Sequence, residues 1–170
     1  MSSAIRFALS NFTLTFLVIG MAVAAMAIAR MPAPRARTAV YDALLRWYLF
    51  FVVGVTMLYN FVMHVIFHET AARFIGWADS PFQIEVGLAS LGFAAAGFLA
   101  FRWDRQARLV ALVGPACFLI GAGAGHIYQI ATTHNMAPGN AGVILYTDFL
   151  VPLLGFALWW LRYRGSGASA

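Results

Sequence analysis

Five stretches of the chain, about 12–30, 43–67, 83–101, 109–132 and 141–161, are apolar and each is long enough to cross a bilayer, which takes roughly 20 residues at about 1.5 Å of rise per residue. In hydrocarbon no water is available to satisfy a peptide N–H or C=O, so each crossing must close its hydrogen bonds internally and stay helical. The chain is 62% hydrophobic and 10% charged, against roughly 45–50% and about 25% in soluble domains, which excludes a soluble globule. The fold class expected is therefore all-α, a polytopic membrane helical bundle of five transmembrane helices. Turn-forming sequences separate the spans: Met31-Pro-Ala-Pro-Arg35, Gly76-Trp-Ala-Asp-Ser-Pro81, Arg102-Trp-Asp-Arg-Gln-Ala-Arg108 and His134-Asn-Met-Ala-Pro-Gly-Asn140. One transmembrane domain over 1–164 is expected, with a low-complexity, disordered tail over 165–170 and no internal repeat.

The formal charge is +5, and every basic residue is Arg. The arginines form no run, which argues against a nucleic-acid partner and for a role in topology. Arg30, Arg35, Arg37 and Arg46 flank the first loop, Arg102, Arg105 and Arg108 fill the third, and Arg162 and Arg164 follow the last span. The N-terminal segment has only Arg6, the second loop only Arg73, and the fourth none. This alternation predicts an N-terminus outside and a C-terminus in the cytoplasm of a bacterial inner (plasma) membrane. Trp47, Trp103, Trp159 and Trp160 then fall at the inner interface, where amphipathic rings prefer to lie. A cleaved signal peptide over residues 1–30, with small residues in Ala33-Pro-Arg-Ala36, is disfavoured because it would leave Arg35 and Arg37 outside beside a weak Arg6 region. Cys117 is the only cysteine, so an intramolecular disulfide and a Cys-based metal knuckle are excluded.

Ionisable groups inside a membrane are functional candidates by default. His64, Glu85, His126 and Asp148 all fall within roughly 10 Å of the outer surface, counted at the helical rise. Thr56, Asn60, His64 and His68 recur at i+4 and predict one polar stripe. Glu85, Ala89, Gly92 and Ala96 predict a second inward face, and Gly121-Ala-Gly-Ala-Gly125 a close-packed helix leading into His126, since small residues let helices approach in lipid. Pro152 lacks the N–H that would bond the carbonyl of Asp148. The loops 68–82 and 133–141 are expected to cover the site, with Pro138-Gly139-Asn140 turning Asn140 back towards it. Other polar residues have plainer readings: Asn60 and Thr56 as interhelical hydrogen-bond partners, His68 and Glu69 as interfacial groups with Arg73 beside Glu69, and Asp42, Arg46 and Asp104 as solvated rim residues. The Phe and Met content reads as packing against lipid.

Taken with His64-Val-Ile-Phe67, Ile75-Gly-Trp77, Ser80-Pro-Phe-Gln-Ile-Glu-Val-Gly87, Gly125-His-Ile-Tyr-Gln129, Ala137-Pro-Gly-Asn-Ala-Gly142 and Asp148, residues 45–162 resemble an uncharacterised prokaryotic integral membrane family, a domain of unknown function with about four core helices. The resemblance implies that His64, Gln83, Glu85, His126, Asn140 and Asp148 occupy the family's polar signature positions and that His68 does not. It also implies that the first helix is an accessory span outside the four-helix core. It carries no chemistry. The layout is similar, at the level of fold only, to the DoxX-like group and more loosely to the sterol-isomerase group that includes emopamil-binding protein.

Two imidazoles and two carboxylates form a competent ligand set for Zn, Fe or Mn. Two ionised acids close together in a low dielectric also call for a cation or a proton. A divalent metal held by His64, Glu85, His126 and Asp148, with Gln83 and Asn140 as further contacts, is the reading this quartet supports first. The same groups also suit metal-free acid–base work on a lipid-soluble small molecule entering from the bilayer, or a non-enzymatic accessory subunit or small transporter. Haem b between His64 and His126 is disfavoured by the two neighbouring acids. Membrane lipids are the expected surroundings, and the sequence names no protein partner or oligomeric state.

Overall fold

The computed structural model describes residues 3–165, and among them there are helices and no strand. A short helix α1 (Ser3–Ser10) leads into α2 (Phe12–Ala29). Helix α3 (Arg37–Tyr48) runs without a break through a π-helical stretch, Leu49–Val55, into α4 (Thr56–Val65). Next come α5 (His68–Ile75), α6 (Phe82–Ala100), α7 (Arg105–Thr133), the single turn α8 (Pro138–Ala141) and α9 (Val143–Tyr163). Five segments are long and apolar enough to cross a membrane: Phe12–Ala29, Arg37–Val65, Phe82–Ala100, Arg105–Thr133 and Pro138–Tyr163. The chain is a multi-pass membrane helical bundle, as its apolar stretches predict. Three short helices, α1, α5 and α8, stand where the sequence suggested only a terminus and loops. Of the expected tail, residues 166–170 lie outside the described residues.

Boundaries follow local chemistry. The Asp104 carboxylate accepts from the backbone N–H groups of Gln106 (3.1 Å) and Ala107 (3.0 Å), capping the first turn of α7. Helix α5 ends at Gly76 with φ +81°, a left-handed conformation that glycine adopts without penalty. The Asn135 side chain donates to the Ile75 carbonyl at 2.9 Å, tying the 133–141 connection to that end.

At the arginine-rich end, Leu45, Tyr48, Leu49, Val52, Leu112, Val151 and their neighbours form a buried apolar core. The Tyr48 hydroxyl donates to the Val151 carbonyl at 2.7 Å, which satisfies the one polar atom of a fully buried ring. Asp42, expected to be solvated, is instead a hub. Its Oδ1 accepts from Arg108 (2.7 Å) and Arg162 (3.0 Å), with Arg46 at 3.9 Å from Oδ2. Helices α3, α7 and α9 are thereby joined through a single carboxylate.

Helix α6 corrects the expected face. Gln83, Gly87, Ser90, Ala94 and Gly97 are buried, whereas Glu85, Ala89 and Gly92 are exposed. The two stripes are two residues apart, close to opposite sides of a helix at about 100° per residue. The backbone decides between them. A Cβ on Gly97 would meet Gly54 N at 2.6 Å and Leu49 O at 2.9 Å in the π-helical stretch, while a Cβ on Gly92 has nothing within 4 Å. The π-helical turn leaves carbonyls without regular α-helical partners, and Thr56 Oγ1 donates to one of them, Phe51 O, at 3.2 Å.

Candidate functional site

Away from the apolar core, at the end of the bundle that carries the histidines, the helices enclose a cavity of about 760 Å³. Its wall is drawn from α1, the start of α2, α4, α5, α6, α7 and α9, and it is mostly apolar. The shape has a local cause on α7. Lower in the bundle, Gly114 lets α7 approach Phe93, and the rings of Phe93 and Phe118 lie 5.8 Å apart. Higher up, Gly121 and Gly125 line the cavity, and a Cβ on either would have nothing within 4 Å. These glycines were expected to mark close packing, and they leave space instead. Gly123 alone is packed, with a Cβ position 2.7 Å from the Phe149 ring. Cys117 and Gly121, one turn apart on α7, line the cavity and are exposed.

Two imidazoles stand in this cavity, each held by a side-chain amide. His64 Nδ1 is 2.6 Å from Gln83 Oε1, and His126 Nδ1 is 2.7 Å from Asn140 Oδ1. The Asn140 orientation is fixed independently, because its Nδ2 donates to the carbonyls of Asn135 (2.8 Å) and His126 (3.3 Å). Oδ1 must therefore accept, and His126 donates from Nδ1. That leaves Nε2 as the reactive nitrogen, 3.6 Å from Asp148 Oδ2. At that distance no hydrogen bond is formed, and Asp148 Oδ2 is buried with no hydrogen-bond partner. The indole Nε1 of Trp77 is also buried without one, and its ring centroid is 6.1 Å from that of His126.

The expected quartet is only partly assembled. His64, His126 and Asp148 line the cavity, whereas Glu85 is exposed on the opposite side of α6 and does not. Gln83, two residues earlier, takes the inward position and holds His64. Among the described residues, no three His, Cys, Asp or Glu side chains come together so that they could hold a metal ion, so the four-ligand metal site does not fit this arrangement. Asn140 is fully buried behind His126, where the Pro138-Gly139-Asn140 turn was expected to send it. His68 leaves the stripe because the helix breaks at Phe67, and it pairs with Asp79 at 2.9 Å on the exposed surface. Asn60 donates to Ser90 Oγ at 2.9 Å, as interhelical glue would. Glu69 has its expected partner Arg73 at 3.4 Å.

Trp77 is the site residue the sequence reading passed over. Its signal was present: it is the one tryptophan outside the interfacial cluster, and it lies in a loop between two spans.

A family pattern matches residues 10–168. The chain belongs to DUF6790, a family of unknown function. The DUF6790 match agrees with the expected domain of unknown function and is wider than the expected 45–162. It takes in the first span, Phe12–Ala29, which had been assigned an accessory place. No match was found among curated proteins or among solved structures, so the DoxX-like and sterol-isomerase likenesses gain no support.

Proposed function

We propose that this DUF6790 protein takes a lipid-soluble small molecule from the bilayer into the cavity and exchanges a proton with it at the His126–Asp148 pair, without a metal. The carrying observation is the combination, in one mostly apolar cavity, of an oriented imidazole and a buried carboxyl oxygen that no protein group satisfies. Ligand sites have this character: apolar walls and a few convergent polar groups in roughly 300–1,000 Å³. Asn140 sets the tautomer of His126, and the Nε2–Oδ2 approach gives the pair a place to hold one proton that it can give up or take back. Entry is sideways, past Cys117 and Gly121.

Gly125→Leu tests this reading with little risk to the fold, since it adds a side chain into open space and replaces a helical glycine, a change worth up to about 1 kcal/mol in favour of the helix. Wild-type protein, extracted with organic solvent after purification from native membranes, is expected to release a small molecule enriched over bulk lipid by mass spectrometry. Gly125→Leu, with undiminished thermal stability, is expected to release none. Wild-type protein that carries nothing beyond bulk lipid would sink the proposal.

The orientation that goes with this reading places the cavity in the outer leaflet of a bacterial inner membrane. It is supported by the arginines, all of which except Arg6 and Arg73 gather at the end opposite the cavity or in its loops. A reporter fused after Arg164 is expected to behave as cytoplasmic. Periplasmic activity of that fusion would reverse the orientation and move the cavity to the inner leaflet.

A further inference from the structure

The end of the bundle opposite the cavity carries unbalanced positive charge. All the arginines except Arg6 and Arg73 gather there or in its loops, and among the described residues the carboxylates at that end are those of Asp42 and Asp104. Asp42 is taken up by Arg108 and Arg162, with Arg46 at 3.9 Å, and Asp104 by the first turn of α7. Orienting a chain in a bilayer requires only that such charge be present, and a loose, solvated side chain serves as well as a held one. Arg105, at the start of α7, is held. Its guanidinium carbon stands over the rings of Trp159 (5.1 Å) and Tyr163 (5.6 Å) on α9, while Trp159 Nε1 donates to its main-chain carbonyl at 3.0 Å. Arg105 is nevertheless exposed, and among the described residues its guanidinium has no carboxylate or carbonyl partner. The rings answer part of its charge and leave its N–H donors without acceptors. Arg164, also exposed, stands in the same way over Trp160 at 5.0 Å.

We infer that this end docks the headgroups of anionic membrane lipids and that Arg105 is the residue that grips their phosphate. The depth fits, because Arg105 opens the span Arg105–Thr133 and lies beside tryptophans, the rings that sit at headgroup level. The donor fits as well: a planar guanidinium offers paired N–H groups to two oxygens of one phosphate, which an ammonium cannot do. A zwitterionic lipid brings the same phosphate with its own cation. That cation is repelled by the charge around Arg105, where Arg162 stands over the Tyr163 ring at 4.7 Å and Arg102 and Arg164 follow the neighbouring spans. An acidic protein segment or a nucleic acid would answer the same charge. The arginine, however, stands in the first turn of a span, with Trp103 and Trp160 nearby 54% and 55% exposed, where lipid is the neighbour already present. The assignment is independent of the cavity and of its ligand.

The experiment equilibrates the full chain, purified in detergent, with equimolar phosphatidylglycerol and phosphatidylcholine of identical acyl chains, recovers the protein and measures the lipid retained by mass spectrometry. Wild type is expected to retain phosphatidylglycerol over phosphatidylcholine by about tenfold, the ratio a single charge-assisted hydrogen bond supports. Arg105→Gln, a change at an exposed side chain, is expected to unfold at the wild-type temperature and to bring that ratio close to one. Arg105→Lys keeps the charge and removes the fork, and is expected to hold a preference of about threefold. Arg30→Gln removes the same charge from an exposed position at the end of α2 and is expected to leave the tenfold preference in place. A ratio near one in wild type would overturn the proposal, as would a preference that survives Arg105→Gln. Equal losses in Arg105→Gln and Arg30→Gln would replace a built contact with a diffuse field, and full retention in Arg105→Lys would overturn the phosphate grip. Release of phosphatidylglycerol by inorganic phosphate at the same concentration would overturn lipid as the source in favour of a free anion.

Discussion

Gly97→Ala is expected to destabilise the bundle by about 3 kcal/mol, the upper range for overpacking a filled interior, and Gly97→Leu to prevent its assembly. The methyl carbon would lie 2.6 Å from Gly54 N, 2.8 Å from Val53 Cγ1 and 2.9 Å from Leu49 O. Two of these atoms are main chain in the π-helical stretch, so no side-chain rotation relieves the contact. The same substitutions at Gly92, five residues earlier on α6, meet nothing within 4 Å and are expected to leave stability unchanged or raise it by up to about 1 kcal/mol, the helix preference over glycine. Thermal unfolding in detergent, followed by tryptophan fluorescence and by retention of a monodisperse peak, reads both. Equal losses at the two glycines, or a loss only at Gly92, would mean that α6 presents its other face and that Glu85 points inward.

Asp42→Asn is expected to cost up to about 3 kcal/mol, the scale seen when one partner of a buried ion pair is removed. Arg108 has a side chain only 6% exposed, and it spans Asp42 Oδ1 at 2.7 Å, Ala100 O at 3.2 Å and the Tyr163 hydroxyl at 3.3 Å. Without the carboxylate, its guanidinium stays buried beside Arg162 and Arg46 with no countercharge. Asp42 itself keeps 26% of its side-chain surface, so solvent relieves part of the loss and the figure is an upper value for this site. Removing both charges, in Asp42→Asn with Arg108→Met, is expected to recover more than half of the single loss, because no uncompensated charge remains. A double-mutant cycle on unfolding in detergent gives the coupling. A single-variant cost under about 0.5 kcal/mol, as for an exposed pair, would show that this network does not hold α3, α7 and α9 together.

Much of the site was legible in the sequence. His64, His126 and Asp148 stand out because a titratable group in an apolar span is costly to place there, and their distance along the helix from the nearest loop sets their depth. Asn140 follows from Pro138-Gly139, whose turn geometry needs no tertiary information. Gln83 was marked by the family resemblance and by no physical signal, since an uncharged amide near a span boundary is unremarkable until its partner His64 is in place. Trp77 stands within the Ile75-Gly-Trp77 motif of the resemblance but was given no place in the site, because a loop tryptophan reads equally as an interfacial anchor.

What the sequence by itself determined is the number and helical character of the spans, the excess of arginine at one end, and the position of the polar residues along their helices. These depend on length, hydropathy and local turns, each a property of a short segment. Only the tertiary structure decided which way each helix turns. Helix α6 carries two stripes of small residues, Glu85-Ala89-Gly92-Ala96 and Gln83-Gly87-Ser90-Ala94-Gly97, and in lipid both faces are apolar, so hydrophobicity cannot rank them. The choice falls to the backbone contact of Gly97 with the π-helical stretch, a partner about 45 residues away in sequence whose geometry no local pattern announces. The same holds for Gly121 and Gly125: small residues permit close packing and equally permit empty space, and the positions of α4, α6 and α9 settle that here they line a cavity.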